Sequence, residues 1–521
     1  MSDLRILVVE DDQDWQDELQ KNLRRIGTHV HIDAASIYQD ALNFIGKYEY
    51  DLITVDLIID TLETTEIPHA QSGYRRGMEL LQIIRANEYN KHCALIVLTG
   101  HGTISLTNTA QRDYDVYKLV EKEDFSYLHI PFTEVARAAI REARLKKTSI
   151  KMSQHWHLTF IFMTPQFLRC ELVSPDQSAS YETISADPLH TRSYDYIRRG
   201  DNLNLLLLRG ELGTWRPDAR ALGKDIYDTL CSEPGIARAF AIAEAQSRQF
   251  GELWLQFCAM PLQLGVPFEL LHNGADYLAR SHLLTRRVIR NGPSSRGALP
   301  FYKFLADLLK RAIRPRILIV GANSDGNIPE AENEAERLKA TIESDLNELA
   351  IASSIDLLIG KDASYDNVSD ALRNGHYHIF HYAGHGLYND KLPEISGLIL
   401  RDTIGYRTLT SHELNTLMRR NTDLQLAFLS CCFSARNSAQ IGNGDFHGML
   451  DAIASTGIPN VIGYRWTLTG DPALSLAQHF YKMLWRSFSP ADALLEARER
   501  AMINPQGLND ETWMSPVLII Q

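Results

Sequence analysis

The chain has 521 residues, 45% hydrophobic and 23% charged, with a formal net charge of −12. That length is too great for one core, so several domains are expected, and the acidic balance excludes an extended nucleic-acid or anionic-membrane surface. Six scattered cysteines (Cys93, Cys170, Cys231, Cys258, Cys431 and Cys432) form no disulfide framework and fit a reducing compartment.

The N-terminus MSDLRILVVEDD has acids where a signal peptide needs an apolar run, and no stretch of ~18 apolar residues follows. The expectation is a cytoplasmic protein without membrane or nucleic-acid partners. RILVVEDD, DLITVDLII, ALIVLTG and VYKLVEK read as short strands, with amphipathic helices such as DWQDELQKNLRRIG and GMELLQIIRANE between them. Alternation of this kind predicts a doubly wound parallel sheet, whose ligands sit at the carboxyl ends of the strands. Those ends carry Glu10, Asp11 and Asp12, then Asp56, Thr99 and Lys122. Clustered carboxylates are oxygen ligands for Mg²⁺, and a carboxylate beside that ion can accept a phosphoryl group. A hydroxyl and an ammonium can then read the added oxygens. Taken singly, Asp11 and Asp12 read equally well as caps of the following helix.

In VVEDD, VDL, LTG and EK, taken in order, residues 3–146 resemble the receiver domain of bacterial response regulators. The resemblance implies phosphorylation of Asp56 by a histidine kinase or another phosphodonor. It also implies Mg²⁺ held by Asp11, Asp12 and Asp56, and a switch formed by Thr99 and Lys122. The segment after Asp56 is longer than usual, Gly77 looks like a displaced family glycine, and Leu119 stands where the family often has an aromatic.

A boundary follows near residue 150. HLTFIFMT, NLNLLLLRG and ELWLQFCAM read as strands, and PLQLGVPFELLHNG carries a turn at Asn273–Gly274. His155, His157 and His272 read as core residues. Beyond Pro315 the alternation resumes: RILIVGANSD, a helix in AENEAERLKATIESDLNEL, SIDLLIGKDAS, and another helix in SYDNVSDALRNG. In HYHIFHYAGHG, His376 and His378 alternate in strand register, His381 closes the strand, and Gly384 and Gly386 predict a sharp turn around His385. The next strand, LQLAFLSCC, ends on Cys431 and Cys432. Histidine and cysteine at the ends of neighbouring parallel strands suit a base and a thiolate nucleophile. Their spacing is close to the ~50-residue caspase interval. A zinc site at His381 and His385 is disfavoured, because the glycines argue against a helix and Tyr382 stands where that motif needs glutamate.

PFELLHNG with the downstream Arg287, HYAGHG, LSCCFSA, GIPNVIGYRWTLTGD and ETWMSPVLI, in that order, resemble the CHAT domain, a caspase-like cysteine protease group. The family's turn usually reads Leu-Ser-Ala-Cys, so LSCC makes Cys432 the nucleophile and Cys431 a structural residue on the opposite face. The resemblance implies His385 as general base, with the N–H groups of Gly386 and Cys432 as oxyanion donors. Trp466 is a candidate wall of a substrate groove, with a plain core aromatic as its alternative. Asp471 is a candidate specificity residue, although Asp471–Pro472 also suits a helix start. The loop ARNSAQIGNGDFHGM is expected to be mobile.

The fold class expected is α/β: a receiver over 1–148, an N-terminal part of the CHAT region over 154–310, and a caspase-like protease domain over 313–521. The function implied is a receiver-regulated cysteine endopeptidase in bacterial signalling or defence, needing Mg²⁺ in the receiver and no cofactor for the protease. Its partners would be a phosphodonor, a protein substrate and, compatibly, further copies of itself. The alternative is a non-hydrolytic scaffold switched by the receiver.

Overall fold

A computed structural model describes residues 4–27, 29–59, 69–100, 110–123, 125, 130–164, 166–250, 253–259, 261–289, 299–324, 326–387, 395–433, 453, 456–466, 471–502 and 511–521. The chain divides into two compact units, residues 1–149 with 344–352, and residues 150–343 with 353–521.

The first unit holds strands β1 (Leu4–Val9), β2 (Val30–Ala35), β3 (Leu52–Asp56), β4 (Ala94–Thr99) and β5 (Lys118–Glu121), in the order β2-β1-β3-β4-β5. Every pairing is parallel. Helices α1 (Gln13–Leu23), α2 (Tyr38–Lys47), α3 (His69–Ala86) and α4 (Phe132–Met152) alternate with them. Strands β3 and β4 are buried along their whole length. Helices on both faces explain why ITV and LIVL are continuous apolar runs without alternation. Because all five strands run the same way, Glu10, Asp56, Thr99 and Lys122 arrive at one edge.

Gly77 lies within α3, where the helix passes over the backbone just after β3. A Cβ at residue 77 would stand 2.4 Å from the Leu57 carbonyl oxygen and 2.5 Å from Leu57 Cα. The glycine is therefore required by close approach.

The second unit is built on one 13-stranded sheet. Its strands are β6 (Trp156–Thr164), β7 (Phe167–Val173), β8 (Ser180–Ala186), β9 (Leu253–Ala259), β10 (Leu283–Val288), β11 (Arg316–Ala322), β12 (Ser354–Ile359), β13 (Ile379–Leu387), β14 (Gly397–Arg401), β15 (Tyr406–Thr410), β16 (Leu426–Phe433), β17 (Asn460–Tyr464) and β18 (Pro516–Ile520). The main path runs β12-β11-β13-β16-β17-β18-β10-β9-β6-β7-β8, and the β14–β15 hairpin attaches to the end of β13. Helices α5 (Ser193–Leu208), α6 (Leu212–Leu230), α7 (Pro234–Phe250), α8 (Phe301–Lys310), α9 (Pro329–Glu348), α10 (Tyr365–Asn374), α11 (Ser411–Arg420), α12 (Asp471–Ser487) and α13 (Pro490–Met502) accompany the strands. No helix among the described residues is long and apolar enough to cross a membrane.

Two local expectations are corrected. NLNLLLLRG is the second half of helix α5 and not a strand. Leucine is a strong helix former, and the run lacks the β-branched residues that favour a strand. Strand β13 begins after His376, which has φ 49°, and it continues extended through His385 to Leu387. The glycines around His385 therefore do not turn the chain sharply.

One buried ion pair anchors the N-terminal half of this sheet. Glu269 lies in the short 3₁₀ turn Phe268–Leu270. Arg286 of β10 donates from Nε to Glu269 Oε1 at 3.0 Å, and a second N–H of the guanidinium meets Oε2. Both residues are almost fully buried, whereas Arg287, the residue expected as the landmark, is exposed. Along β10 the two arginines face opposite sides of the sheet. Arg498 of α13 donates to the Pro516 carbonyl at 2.6 Å, and burial pulls its guanidinium down to about 10.

Gly77→Ala should destabilise the protein by about 1–3 kcal/mol, the usual cost of forcing volume into a packed site. Gly46→Ala, in helix α2 with no heavy atom within 4 Å of the added Cβ, should be neutral or stabilising by up to ~1 kcal/mol. Chemical denaturation of both variants beside the parent checks the pair.

Candidate functional site

In the first unit, Glu10 follows β1, Asp56 ends β3, Thr99 ends β4 and Lys122 follows β5. Lys122 Nζ donates to Glu10 Oε1 at 2.7 Å and to Asp56 Oδ2 at 2.6 Å. The Lys122 N–H donates to the Thr99 carbonyl at 2.9 Å, which fixes the lysine beside β4. Burial pushes the Glu10 carboxyl up to about 7 and also raises Asp56, against the opposing pull of Lys122. Burial pulls Lys122 down, but hydrogen bonds to Asp56 and Glu10 more than offset it and hold the ammonium above its usual value.

Carboxylate oxygens of Glu10, Asp11 and Asp56 lie within 4.8 Å of one another. Among the described residues, the buried Glu10 Oε2 and Thr99 Oγ1 have no hydrogen-bond partner. Three acids against one ammonium, with a spare oxygen buried beside them, suit a hard divalent cation such as Mg²⁺. The acids that cluster differ from the expected set. Asp12 is exposed and caps α1, accepting from the N–H groups of Asp14 at 2.9 Å and Trp15 at 3.1 Å. Glu10, not Asp12, joins Asp11 and Asp56, because its side chain turns inward at the strand end. The signal was available in the sequence: Glu10 closes the apolar run, whereas Asp12 immediately precedes a helix.

In the second unit, β13 and β16 run parallel in a register that pairs His381 with Phe428, Gly384 with Cys431, His385 with Cys432, and Gly386 with Phe433. Adjacent strands are about 4.8 Å apart, so positions 385 and 432 are nearest neighbours across the ladder. Cys431 is buried in the apolar core with Ala427, Leu429 and Tyr382. His385 is half-buried near the strand's end. His381 is fully enclosed on the same side of β13: its Nε2 lies 3.2 Å from Glu334 Oε1, and its Nδ1 lies 3.3 Å from the Tyr481 hydroxyl. His381 and His385 are four residues apart on an extended strand, about 13 Å along it, which is too far to share a metal ion.

The remaining candidates fall around this centre. Trp466, just beyond β17, is 1% exposed; its ring meets Trp215 edge-on and its indole N–H donates to the Gly200 carbonyl at 3.0 Å. It stands in the packed core. Asp471 is the first residue of α12, with Pro472 behind it. The expected loop over 435–449 lies outside the described residues, as do residues 60–68 after Asp56. Sequence reasoning missed the Tyr382 hydroxyl, which lies 2.9 Å from the His385 carbonyl oxygen.

The family model of the CHAT domain matches residues 220–519. The chain belongs to the CHAT family. The N-terminal unit has the fold of a receiver domain by its strand order, with an acid–lysine cluster at the carboxyl ends of its strands. Similar solved structures include a sensor protein from Polaromonas sp. JS666, 20% identical, covering 27% of this chain and 98% of that one, with a TM-score of 0.22. A CheY-like response regulator receiver domain protein from Methanospirillum hungatei JF-1 is 19% identical over 23% of this chain and 82% of its own, with a TM-score of 0.19. The non-phosphorylated HemR receiver domain from Leptospira biflexa is 19% identical over 26% and 94%, with a TM-score of 0.21. No curated protein matches the chain.

Outer-sphere partners of a bound metal are worth roughly 10- to 100-fold in affinity, and a direct carboxylate ligand is worth no less. Glu10→Gln should therefore weaken Mg²⁺ binding by at least that factor. Asp12→Ala should lower stability by about 0.5–2 kcal/mol, the cost of a lost helix cap, with Mg²⁺ affinity kept. The fluorescence of Trp15, whose ring lies 5.5 Å from Lys122 Nζ, reports both titrations.

Proposed function

We propose that the CHAT region is a cysteine endopeptidase and that the receiver governs it through phosphorylation of Asp56. The observation that carries the proposal is the pairing of His385 with Cys432 on adjacent parallel strands. In the reaction, His385 takes the Cys432 proton and the thiolate attacks a peptide carbonyl carbon. For the N–H groups of Gly386 and Cys432 to receive the negative charge that develops on the carbonyl oxygen, the end of the β13–β16 ladder that pairs them must open in the reacting state. His385 then returns the proton to the leaving amine, and water, deprotonated by the same histidine, releases the acyl group. Cys431 has no part in this, being committed to the core.

In the receiver, Glu10, Asp11 and Asp56 would hold Mg²⁺, which supplies positive charge for phosphoryl oxygens. The Asp56 carboxylate attacks the phosphorus of a phosphodonor such as the phosphohistidine of a histidine kinase, and the P–N bond breaks as the imidazole leaves with a proton from solvent. Lys122 and the Thr99 hydroxyl receive the added oxygens. The phosphoryl group brings up to two negative charges to a site now balanced around Lys122, and that change biases the receiver between two states.

Cys432→Ala and His385→Ala should each abolish release of protein fragments from a cell lysate, a loss of at least ~10³-fold, while Cys431→Ala retains cleavage. Quantitative mass spectrometry of new N-termini measures this, and full cleavage by Cys432→Ala rejects the assignment. Regulatory couplings are typically worth about 5- to 150-fold. Asp56→Ala in the full chain should accordingly remove a several-fold response of cleavage to a small phosphodonor with Mg²⁺. Equal rates for parent and variant, with and without donor, would show that the receiver does not gate cleavage.

A further inference from the structure

Helix α9 is one continuous helix of 20 residues, about 30 Å long, and it belongs to both compact units. As far as Glu343 it is part of the second unit; its last residues, with the connection through Ala352, are part of the first. A buried stripe runs along it through Ala331, Ala335, Leu338, Ile342 and Leu346 to Leu349. Glu334 stands in this stripe and is itself only 6% exposed. A carboxylate so placed needs a partner, and His381 of β13 supplies it, with Nε2 3.2 Å from Glu334 Oε1. An ionised carboxylate only accepts, which places the proton on Nε2 and leaves Nδ1 to accept from the Tyr481 hydroxyl of α12 at 3.3 Å. His381 precedes His385 by four residues on the same side of the strand. Beside this contact α9 lies tightly over β11. A Cβ at Gly321 would stand 2.7 Å from Ala335 Cβ and 2.8 Å from the Ala331 carbonyl oxygen, and Gly321 pairs directly with Ala383 of β13.

The other end of α9 is held by Arg141 of α4. One guanidinium nitrogen donates to the carbonyl oxygens of Leu349 and Ala350, each at 3.0 Å. Carbonyls at a helix C-terminus have no partner within the helix, and a cation there suits the dipole. Ala350 has φ 50°, a conformation that helix ends usually give to glycine. The end is therefore a disfavoured cap that the arginine helps to hold. Helix α4 is in turn tied to the phosphoacceptor site at two points. Arg144 donates to Asp51 Oδ1 at 2.8 Å, at the start of the strand that ends on Asp56. Phe132, which opens α4, packs on Phe125 with ring centroids 5.0 Å apart; Phe125 meets Trp15 edge-on at 5.4 Å, and the Trp15 ring lies 5.5 Å from Lys122 Nζ.

We propose that α9 is the element through which the receiver acts on His385, with the Arg141 clasp at one end and the Glu334–His381 hydrogen bond at the other. The inference rests on the reading above of a receiver that governs an endopeptidase, and it names the route. A close-packed helix carries a displacement of one end to the other. At 3.2 Å the Glu334–His381 bond is already at the long end of its range, so a shift of about 1 Å along the helix axis breaks it. The strand that bears His385 then loses the anchor on that face.

The test uses the full-length protein and amide hydrogen exchange, which needs neither catalysis nor phosphorylation. Arg141→Ala should speed exchange several-fold in 344–352 and also in 379–387, with 180–186, in the distant strand β8, unchanged. Unaltered exchange in 379–387 would overturn the proposal, and so would equal acceleration in 180–186, which would make the effect one of general stability. Coupling is reciprocal, so Glu334→Gln should speed exchange in 344–352, and this arm decides the matter if Arg141→Ala fails to fold; no change there overturns the route. In cleavage assays, Arg141→Ala should abolish the response to acetyl phosphate with Mg²⁺, a response of about 5- to 150-fold in regulated systems, while intact mass still shows phosphorylation of Asp56. A response kept at its parent size would overturn the proposal. If the parent shows no Cys432-dependent cleavage, or no response to the donor, the endopeptidase or the gating reading fails separately, and the exchange measurements still decide whether α9 couples Arg141 to β13.

Discussion

The parallel register between β13 and β16 is the constraint on which the candidate active site depends. A slip of one residue would bring Cys431 opposite His385 and exchange the faces of every side chain on the strand. Two things hold the pairing. At its start, the N–H groups of Gln425 and Leu426 both reach the His378 carbonyl, at 2.8 and 3.2 Å. Along its length both faces are buried in different company. Tyr382, Leu429 and Cys431 lie in one apolar core, while His381, Phe428 and Tyr481 stack on the other side. A slipped strand would put His381 into the wrong core without Glu334, leaving a buried polar ring without its carboxylate partner.

The same economy of placement governs the receiver. Parallel strands deliver their carboxyl ends to one edge, so residues far apart in sequence share a small volume: Lys122 meets Glu10 and Asp56 there. Burial makes this volume hostile to negative charge, and the lysine offsets only part of it. A site of that kind responds strongly to a divalent cation or to a phosphoryl group, because each changes a charge balance that solvent does not screen. The ion pair of Glu269 with Arg286 uses the same low dielectric differently. Its two-point hydrogen bonding is saturated by geometry and faces no opening, so it locks the 3₁₀ turn to β10 and serves the fold.

Much of this was legible in the residues. Alternating apolar runs and amphipathic helices announce a doubly wound sheet, and acids, threonine and lysine at successive strand ends announce the receiver site. HYAGHG and LSCC announce the CHAT region. The places where reading failed share one cause, which is that a residue's direction is not written beside it. Glu10 and Asp12 are both acids after β1, and only the cap geometry at the start of α1 sends one outward and the other inward. Arg286 and Arg287 are chemically identical neighbours, and strand parity alone decides which one Glu269 receives. NLNLLLLRG carries enough apolar residues for a buried strand, but its leucines continue a helix begun upstream at Ser193.

By itself the sequence determined the order of elements, the two families joined in one chain, and the chemical types available at each strand end, because these follow from periodicity and local residue identity. Only the tertiary structure decided that β6 to β18 form one sheet, that position 432 stands opposite 385, that Glu10 completes the acid cluster, and that the Tyr382 hydroxyl lies against the His385 carbonyl. Each of these depends on the relative register or the direction of groups that are brought together by strand pairing, and pairing between distant segments is set by the summed burial of whole faces, a quantity that no short stretch of residues contains.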